Sequence, residues 1–282
     1  MPIPESQLET WARPGASTTA KTTADSIKNA LNSYRSWPSG VEFDVYLQGS
    51  YKNDTHIRGD SDVDVVVQLN STFHSNLSEE QKGTLGLSPA SYHLSDFRVE
   101  VLKVLRNYYG QGFITEGTKT LKLRAGNGRL SADIVVCGQY RKYKTVNSYD
   151  YVEGMCFWSG SRQIINYPKI HYENGVTKHK NTSEWYKPTV RIFKNLRSNL
   201  LGDNPPSYFL ECLVYNAPHL KFGNGYQNSF CNIVNWLNEA DLDTFMCKNG
   251  QHKLFGDSPE QWNTIEARSF IANVISIWND WQ

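Results

Sequence analysis

The sequence predicts a protein of the α+β class (mixed α/β), with a small mixed β-sheet in its first half and a helical second half. Two patterns support this prediction. Short apolar runs rich in β-branched residues, bounded by polar turns, recur before about residue 140, as expected for strands. From about residue 184 onward, apolar residues recur at spacings of three and four, the period of helices that bury one face. Because the pattern changes between the two parts, we expect two domains, residues 1–160 and residues 161–282.

The composition is that of a folded and nearly neutral protein. The chain has 282 residues, of which 39% are hydrophobic, enough for one large domain or two modest ones. Its net charge of +1 argues against a strong nucleic-acid footprint, which normally needs a basic excess. No signal-peptide pattern and no apolar run of about 18 residues occurs, so we expect a cytoplasmic protein without membrane contact. The five cysteines lack the spacing of a zinc site and are predicted to be buried free thiols.

Local periodicity and turn residues predict the individual elements. Residues 70–95 are predicted to be loop, and residues 138–182, basic and aromatic without a clear period, are predicted to connect the two halves. Strands are expected at 43–48, 62–69, 119–124 and 130–137, the last two joined by a turn at 126–128. Helices are expected from Thr22 or Thr23 to about Trp37, at 96–109, and near 184–200, 208–215, 226–240 and 260–281.

A polar motif opens the second strand. Asp62 and Asp64 alternate with valines, and strand geometry puts residues i and i+2 on the same side, about 6–7 Å apart at their α-carbons. Two like charges side by side in an apolar strand are costly unless a cation lies between them. Oxygen ligands without a neighbouring Cys or His favour Mg²⁺ or Mn²⁺. Asp60 has the same register, but it follows Gly59 and is predicted to lie in the loop.

Gly49 and Ser50 end the first strand and are suited to phosphate. Glycine allows close approach of the backbone, and backbone N–H groups together with a hydroxyl can hold phosphate oxygens. A less specific interpretation of the stretch is a solvated turn leading into an edge strand, because a lone Asp-x-Asp is common. Gly-Ser at a strand end, followed about a dozen residues later by Ser-Asp-x-Asp, is far more specific and predicts a metal and phosphate site.

Asp133 lies in a later apolar strand, between Ala132 and Ile134. A carboxylate there is expensive to bury alone, so it either faces solvent or takes part in the site. In the second case it is a third metal ligand or a general base beside Asp62 and Asp64. Such a set suits nucleotidyl transfer, in which metal ions held by carboxylates contact the attacking and leaving oxygens.

The chain resembles a known family over essentially its full length. Gly-Ser, then Gly-x-Ser-Asp-x-Asp, then a strand with a lone Asp is similar to the pattern of the polymerase β-like nucleotidyltransferase superfamily. Within it, the sequence resembles the bacterial cGAS/DncV-like nucleotidyltransferases (CD-NTases), and among them the clade E cyclic dinucleotide synthases. The stretches that carry the resemblance are 46–52, 57–64, 132–136, 166–169, 184–188 and 207–212.

The resemblance implies the fold of a polymerase β-like nucleotidyltransferase core followed by a helical domain that closes over the nucleotide site. It implies that Asp62, Asp64 and Asp133 hold two Mg²⁺, which Mn²⁺ can replace, and form the catalytic centre. The residues implied to contact the donor triphosphate are Gln48, Gly49, Ser50, Lys194 on the long helix, and Ser207.

Four of the implied residues also have a plain structural interpretation. Tyr208 would stack on the donor base, but it is equally suited to packing. Asn166 would favour uridine, because a carboxamide matches the N3–H and O4 of uracil, but it also suits a turn before Tyr-Pro. Lys194 and Ser207 could instead be a solvated lysine and an ordinary helix N-cap.

The function implied by the resemblance is synthesis of a cyclic dinucleotide from two nucleoside triphosphates, with release of pyrophosphate. Asn166 favours UTP and ATP as substrates and cyclic UMP-AMP or cyclic di-UMP as product. The family acts in antiphage signalling (CBASS), where the product activates a separate effector protein. The alternatives are a template-independent transferase acting on RNA or a small molecule, and a noncatalytic nucleotide-binding relative.

Overall fold

The structure is a computed structural model that describes residues 1–59, 62–200 and 205–281. The chain divides into two compact units. The sheet unit contains Ser17–Tyr51 and Ser61–Pro168, and the helical unit contains Met1–Ala16, Lys52–Asp60 and Lys169–Gln282. The short segment Lys52–Asp60 therefore belongs with the helices, although it joins two strands of the sheet along the chain. The domain limits at residues 160 and 161 stay a prediction.

The described residues contain the predicted strands and helices and several further elements. The strands are β1 (Phe43–Leu47), β2 (Asp62–Ser75), β3 (Ile114–Glu116), β4 (Leu121–Leu123), β5 (Ser131–Tyr143), β6 (Tyr151–Ser159) and β7 (Arg162–Asn166). The helices are α1 (Glu5–Ala12), α2 (Thr18–Ser33), α3 (Gly49–Asn53), α4 (Glu79–Thr84), α5 (Leu94–Tyr109), α6 (Pro168–Asn181), α7 (Tyr186–Arg197), α8 (Ser207–Asn216), α9 (Tyr226–Glu239) and α10 (Thr264–Asn279).

The strands form one mixed sheet in the order β1-β2-β5-β4-β3, and β6 pairs with the far part of β5 and with β7. The central strands β2 and β5 run parallel, whereas the other pairs are antiparallel. Parallel neighbours cannot be joined by a hairpin, and the connection from β2 to β5 includes α5. This confirms the predicted mixed α/β fold with a small mixed sheet.

The two faces of the central strands bury different residues. Val65 belongs to the core that β2 shares with α2 and α5, whereas Val66 packs on the opposite face with Val135 of β5. Alternate residues of a strand share a face, so Asp64 lies on the face of Val66, and Asp133 lies on the face of Val135. The carboxylates therefore share the sheet face that is not packed against α2 and α5.

The helical unit has its own core, which includes buried Phe193, Leu213 and Phe230. The sequence analysis did not predict its first helix, α1, because only Leu8 and Ala12 of this helix are buried. The Glu5 carboxylate of α1 accepts hydrogen bonds from the first backbone N–H groups of α9, which compensates the positive end of that helix.

Several element boundaries differ from the prediction. Helix α2 begins at Thr18, and the Thr22 and Thr23 hydroxyls bond carbonyls one turn earlier within the helix instead of capping it. In the predicted loop 70–95, β2 continues to Ser75, and α4 follows with a capping box. The predicted passage 138–182 contains the end of β5, β6, β7 and α6. Its aromatic and basic residues lack simple alternation, so the strands were not visible from period alone.

Two expectations from composition are also addressed by the structure. In the parts of the chain that are described, none of the helices is long and apolar enough to cross a membrane. Four of the five cysteines are buried and all five are free thiols, as predicted; Cys231 is partly exposed.

Candidate active site

The parallel register of β2 and β5 brings the predicted carboxylates together. Asp64 lies directly opposite Asp133, and Asp62 lies opposite Ser131. Neighbouring strands are about 4.8 Å apart, so side chains of paired residues on one face meet. Asp62 is exposed, and Asp64 and Asp133 are half-buried. The alternative residue Asp60 lies outside the described residues.

Each end of this carboxylate group has polar neighbours. The Ser131 hydroxyl donates to Asp62 Oδ1. Thr120 Oγ1 donates to Asp133 Oδ1 over 3.5 Å, and Lys122 Nζ is 3.8 Å from the same oxygen. Lys122 lies opposite Asp133 on β4, the strand on the other side of β5. These hydroxyl groups and the lysine partly offset the negative charge on this face of the sheet.

The Gly-Ser turn lies against the second aspartate. The Gln48 N–H donates to the Asp64 carbonyl at 2.9 Å, and Gly49 has a φ of +66°. A Cβ at Gly49 would lie 2.8 Å from Asp64 Cγ and still closer to a carboxylate oxygen. Glycine is therefore required twice, for the left-handed backbone and for the close approach. Ser50 follows as the second residue of α3.

An open cavity of about 530 Å³ lies beside this turn. It is lined by Leu47 and Tyr51, which flank Gly49 and Ser50, and by polar residues of α2 that include Lys21 and Thr22. The cavity, the Gly-Ser turn and the three aspartates all belong to the sheet unit.

Lys194 and Ser207 belong to the helical unit. Lys194 is 1% exposed, and its Nζ donates to the Thr55 carbonyl at 2.9 Å, so the interpretation of a solvated lysine is wrong. Ser207 is the first residue of α8, and Pro206 is the N-cap, so the predicted N-cap is displaced by one position. The Ser207 hydroxyl accepts a hydrogen bond from Arg197 Nη1 at 3.1 Å.

Tyr208 and Asn166 are both accessible. The Tyr208 ring is 38% exposed and stacks on His171, with 5.2 Å between ring centroids and 20° between planes. Asn166 is the last residue of β7, lies opposite Met155 and is exposed. The structure thus gathers the aspartates and the Gly-Ser turn in one unit, and places Lys194 and Tyr208 in the other.

Comparison with known proteins identifies the family to which the chain belongs. Two family models match: the nucleotidyltransferase domain over residues 26–116, and the cGAS/DncV-like nucleotidyltransferase C-terminal helical domain over residues 173–279. The cyclic UMP-AMP synthase of Rhodothermus marinus is 52% identical over 290 aligned residues, covering 100% of this chain and 99% of that protein. The chain belongs to the cGAS/DncV-like nucleotidyltransferases.

A solved structure and a second relative place this CD-NTase among the CdnE enzymes. The structure of the R. marinus CdnE c-UMP-AMP synthase, solved with Apcpp and Upnpp, has a TM-score of 0.95 and covers 99% of this chain and 98% of that one. A cyclic dipyrimidine nucleotide synthase, CdnE of Legionella pneumophila, is 34% identical, with 95% of each chain covered. The predicted family, the nucleotidyltransferase core and the helical domain are thereby confirmed.

Nucleotidyltransferases of this kind generally use divalent metal ions, and the donor set fits them. Within the described ranges, no three His, Cys, Asp or Glu side chains form a ready-made metal cluster. The close approach of Gly49 to Asp64 and the pairing of Asp64 with Asp133 nevertheless put hard oxygen donors on two adjacent strands. Such donors without Cys or His suit Mg²⁺ and Mn²⁺.

The sequence prediction missed a group of buried polar residues in the helical unit. Glu211 of α8 is 5% exposed, and its Oε1 forms an ion pair with Lys248 and lies 3.6 Å from His171 Nε2. Burial alone would raise the pKa of Glu211, but Lys248 and His171 outweigh it and hold the pKa below its ordinary value. A glutamate in the apolar run Leu210 to Val214 was the available signal, because a lone buried carboxylate needs a partner.

Proposed function

We propose that this CD-NTase joins two nucleoside triphosphates into a cyclic dinucleotide and releases a pyrophosphate at each of two steps. The observation that carries the proposal is full-length similarity to cyclic dinucleotide synthases, combined with the Asp64–Asp133 pair beside the Gly49 turn. Neither a lone Asp-x-Asp nor the fold alone would support so specific a reaction.

The proposed reaction uses the same chemistry twice. A ribose hydroxyl of one nucleotide attacks the α-phosphate of the other, the bond to the β-phosphate breaks, and pyrophosphate leaves. The hydroxyl proton passes to a carboxylate, for which Asp133 is the proposed acceptor. The linear intermediate then rebinds, and its free hydroxyl attacks its remaining α-phosphate, which closes the ring and releases the second pyrophosphate.

Each site residue has a proposed part in this reaction. Asp62, Asp64 and Asp133 would hold two Mg²⁺, and bound metal would neutralise charge on the α-phosphate and on the leaving pyrophosphate. Gly49 and Ser50 would present backbone N–H groups and a hydroxyl to the donor triphosphate. The Gln48 N–H is bonded to the Asp64 carbonyl, so a nucleotide contact of Gln48 would use its side chain. Ser207, at the start of α8, would add a further phosphate contact. Contact between Lys194 and the triphosphate stays a prediction, since the lysine bonds the Thr55 carbonyl.

UTP and ATP are the proposed substrates, with cyclic UMP-AMP as product and cyclic di-UMP as the second choice. The relative that is 52% identical is a cyclic UMP-AMP synthase, whereas the dipyrimidine synthase is 34% identical. Asn166 is exposed at the end of β7, where its carboxamide is accessible to a base. We place the product in antiphage signalling through a separate effector protein.

The decisive experiment is a product assay on the purified protein. The protein is incubated with Mg²⁺ or Mn²⁺ and four labelled nucleoside triphosphates, treated with phosphatase, and the products are identified by mass spectrometry. We expect a phosphatase-resistant dinucleotide containing uracil. Only linear products, or products that require added RNA or a small acceptor, would favour the alternative transferase. Nucleotide binding without any product would favour a noncatalytic relative.

The base preference is tested by Asn166→Ser. Removing the carboxamide should shift incorporation from uridine toward adenosine, with only a modest loss of total rate, because the aspartates and the Gly-Ser turn are unchanged. The product ratio is measured with equal concentrations of UTP and ATP. Asn32→Ser, at an exposed asparagine of α2, is the matched control. An unchanged ratio in Asn166→Ser would remove this residue from the specificity argument.

A further inference from the structure

The buried ionic group of the helical unit surrounds one carboxylate. Glu211, Lys248 and His171 are 5%, 1% and 7% exposed. Lys248 Nζ contacts Glu211 Oε1, and His171 Nε2 is 3.6 Å from the same oxygen. Burying such an ion pair gives little net stability compared with well-packed apolar residues. The neighbours of this carboxylate are therefore the groups that it can hold in place.

The second oxygen of Glu211 faces the segment that follows the Gly-Ser turn in the chain. Asn53 Nδ2 and Thr55 Oγ1 donate to Oε2 over 3.4 and 3.5 Å. Between them, Asp54 has a φ of +56°, and its carbonyl accepts a hydrogen bond from Arg191. A non-glycine residue in this conformation persists only where its surroundings hold it. Glu211 is thus one of the groups that fix this segment.

The first oxygen of Glu211 faces His171, which in turn stacks on Tyr208. The imidazole lies nearly parallel to the Tyr208 ring, and Asn249 Nδ2 is 3.4 Å from the Tyr208 hydroxyl. Burial, and next the Lys248 ammonium, lower the pKa of His171, and the Glu211 carboxylate acts in the opposite direction. The buried imidazole, with its Nε2 3.6 Å from a carboxylate oxygen, thus lies against one face of the half-exposed Tyr208 ring.

We propose that Glu211 and His171 are positioning residues for nucleotide recognition: Glu211 orients His171, and His171 holds the Tyr208 ring in the plane in which it stacks on a nucleobase. The inference rests on the proposed function, which includes stacking of Tyr208 on the donor base. In this proposal the stacking surface consists of the Tyr208 ring, the His171 ring and the buried Glu211 carboxylate, and not of Tyr208 alone.

The first test compares nucleotide binding by His171→Ala, His171→Phe and Tyr208→Ala. Binding of non-hydrolysable UTP and ATP analogues is measured by calorimetry, well below the melting temperature of each variant. We expect His171→Ala to weaken binding of one analogue by roughly 5- to 100-fold, the range of base–aromatic stacking. His171→Phe keeps a ring under Tyr208 but loses the nitrogen that faces Glu211, so its affinity should lie between that of His171→Ala and that of the wild type. His219→Ala, at an exposed histidine of the same unit, is the control and should bind normally.

The double variant His171→Ala/Tyr208→Ala decides whether the two rings act together. If His171 acts through Tyr208, the double variant loses no more affinity than Tyr208→Ala alone. Additive losses, or normal affinity in His171→Ala, would overturn the proposal and leave His171 as a packing residue. Normal affinity in Tyr208→Ala would also overturn it. Because binding is measured without turnover, a wild-type protein that binds but makes no cyclic dinucleotide would contradict the proposed function only.

The role of Glu211 is tested with a charge-compensated pair of variants. Glu211→Gln alone leaves Lys248 buried without its counter-ion and should lower the melting temperature. Adding Lys248→Met removes that charge and should restore most of the stability. Nucleotide affinity should stay weakened in the double variant, because His171 has lost its carboxylate partner. Recovery of both stability and affinity would overturn the positioning role of Glu211.

Discussion

Replacing both Asp62 and Asp64 by asparagine should abolish dinucleotide synthesis, with a loss of at least roughly 1,000-fold in kcat, since metal-assisted charge stabilisation contributes several kcal/mol to such reactions. Asp64 faces Asp133 across the parallel pair β2–β5, and Asp62 lies two residues earlier on the same side. Amide groups bind Mg²⁺ far more weakly than carboxylates, so the metal would be lost while the side-chain shape is kept. The measurement is initial rate at saturating nucleotide and metal.

The melting temperature separates a chemical effect from unfolding. Neutralising adjacent carboxylates removes mutual repulsion, so the double variant should melt at the wild-type temperature or above it. Asp44→Asn, at an exposed carboxylate on β1 of the same sheet, is the matched control and should keep full activity. Substantial activity in the Asp62/Asp64 variant would contradict the metal assignment, whatever its stability.

Gly49→Ala should reduce activity by at least roughly 100-fold, because misplacing a reacting group by about 1 Å has an effect of that size. The new methyl group has no room beside the Asp64 carboxylate, so either Asp64 or the Gly-Ser turn must move. The φ of +66° adds a backbone cost of about 1–2 kcal/mol for alanine. Activity and melting temperature are measured together.

Gly86→Ala isolates the backbone contribution. Gly86 has the same φ of +66°, but a Cβ there has no heavy atom within 4 Å. This variant should lose a few degrees of melting temperature and keep normal activity. If Gly49→Ala were as active as Gly86→Ala, the contact between the turn and Asp64 would have no part in catalysis.

Local patterns were enough to predict the main candidate residues. The alternation of aspartates and valines predicted that Asp62 and Asp64 share a strand face, and β2 begins at Asp62. The glycine at the end of β1 was predicted to let the backbone approach a phosphate, which stays a prediction; in the structure the group that lies against this glycine is the Asp64 carboxylate. Both predictions concern residues near one another in the chain, where backbone period and residue type determine geometry.

Other features depend on pairs of residues that are far apart in the sequence. One interpretation of Lys194 was a lysine exposed to solvent on a helix face. In the structure its ammonium is buried and donates to the Thr55 carbonyl. Glu211, Lys248 and His171 lie on three separate stretches of the chain, and no spacing rule connects them. The irregular passage 138–182 contains two strands because β6 pairs with β5 and β7 pairs with β6. Such pairing is decided by long-range contacts, which override weak local preference.

By itself, the sequence determined the mixed α/β class and the family and predicted the carboxylate and Gly-Ser residues of the site, because these depend on local period, residue type and motif. Only the tertiary structure decided that β2 and β5 are parallel neighbours with Asp64 opposite Asp133. It alone also decided that Tyr208 rests on His171 above a buried Glu211–Lys248 pair. The physical reason is that strand register and buried ion pairs arise from packing between distant segments, whose energies depend on the assembled core and leave no period in the chain.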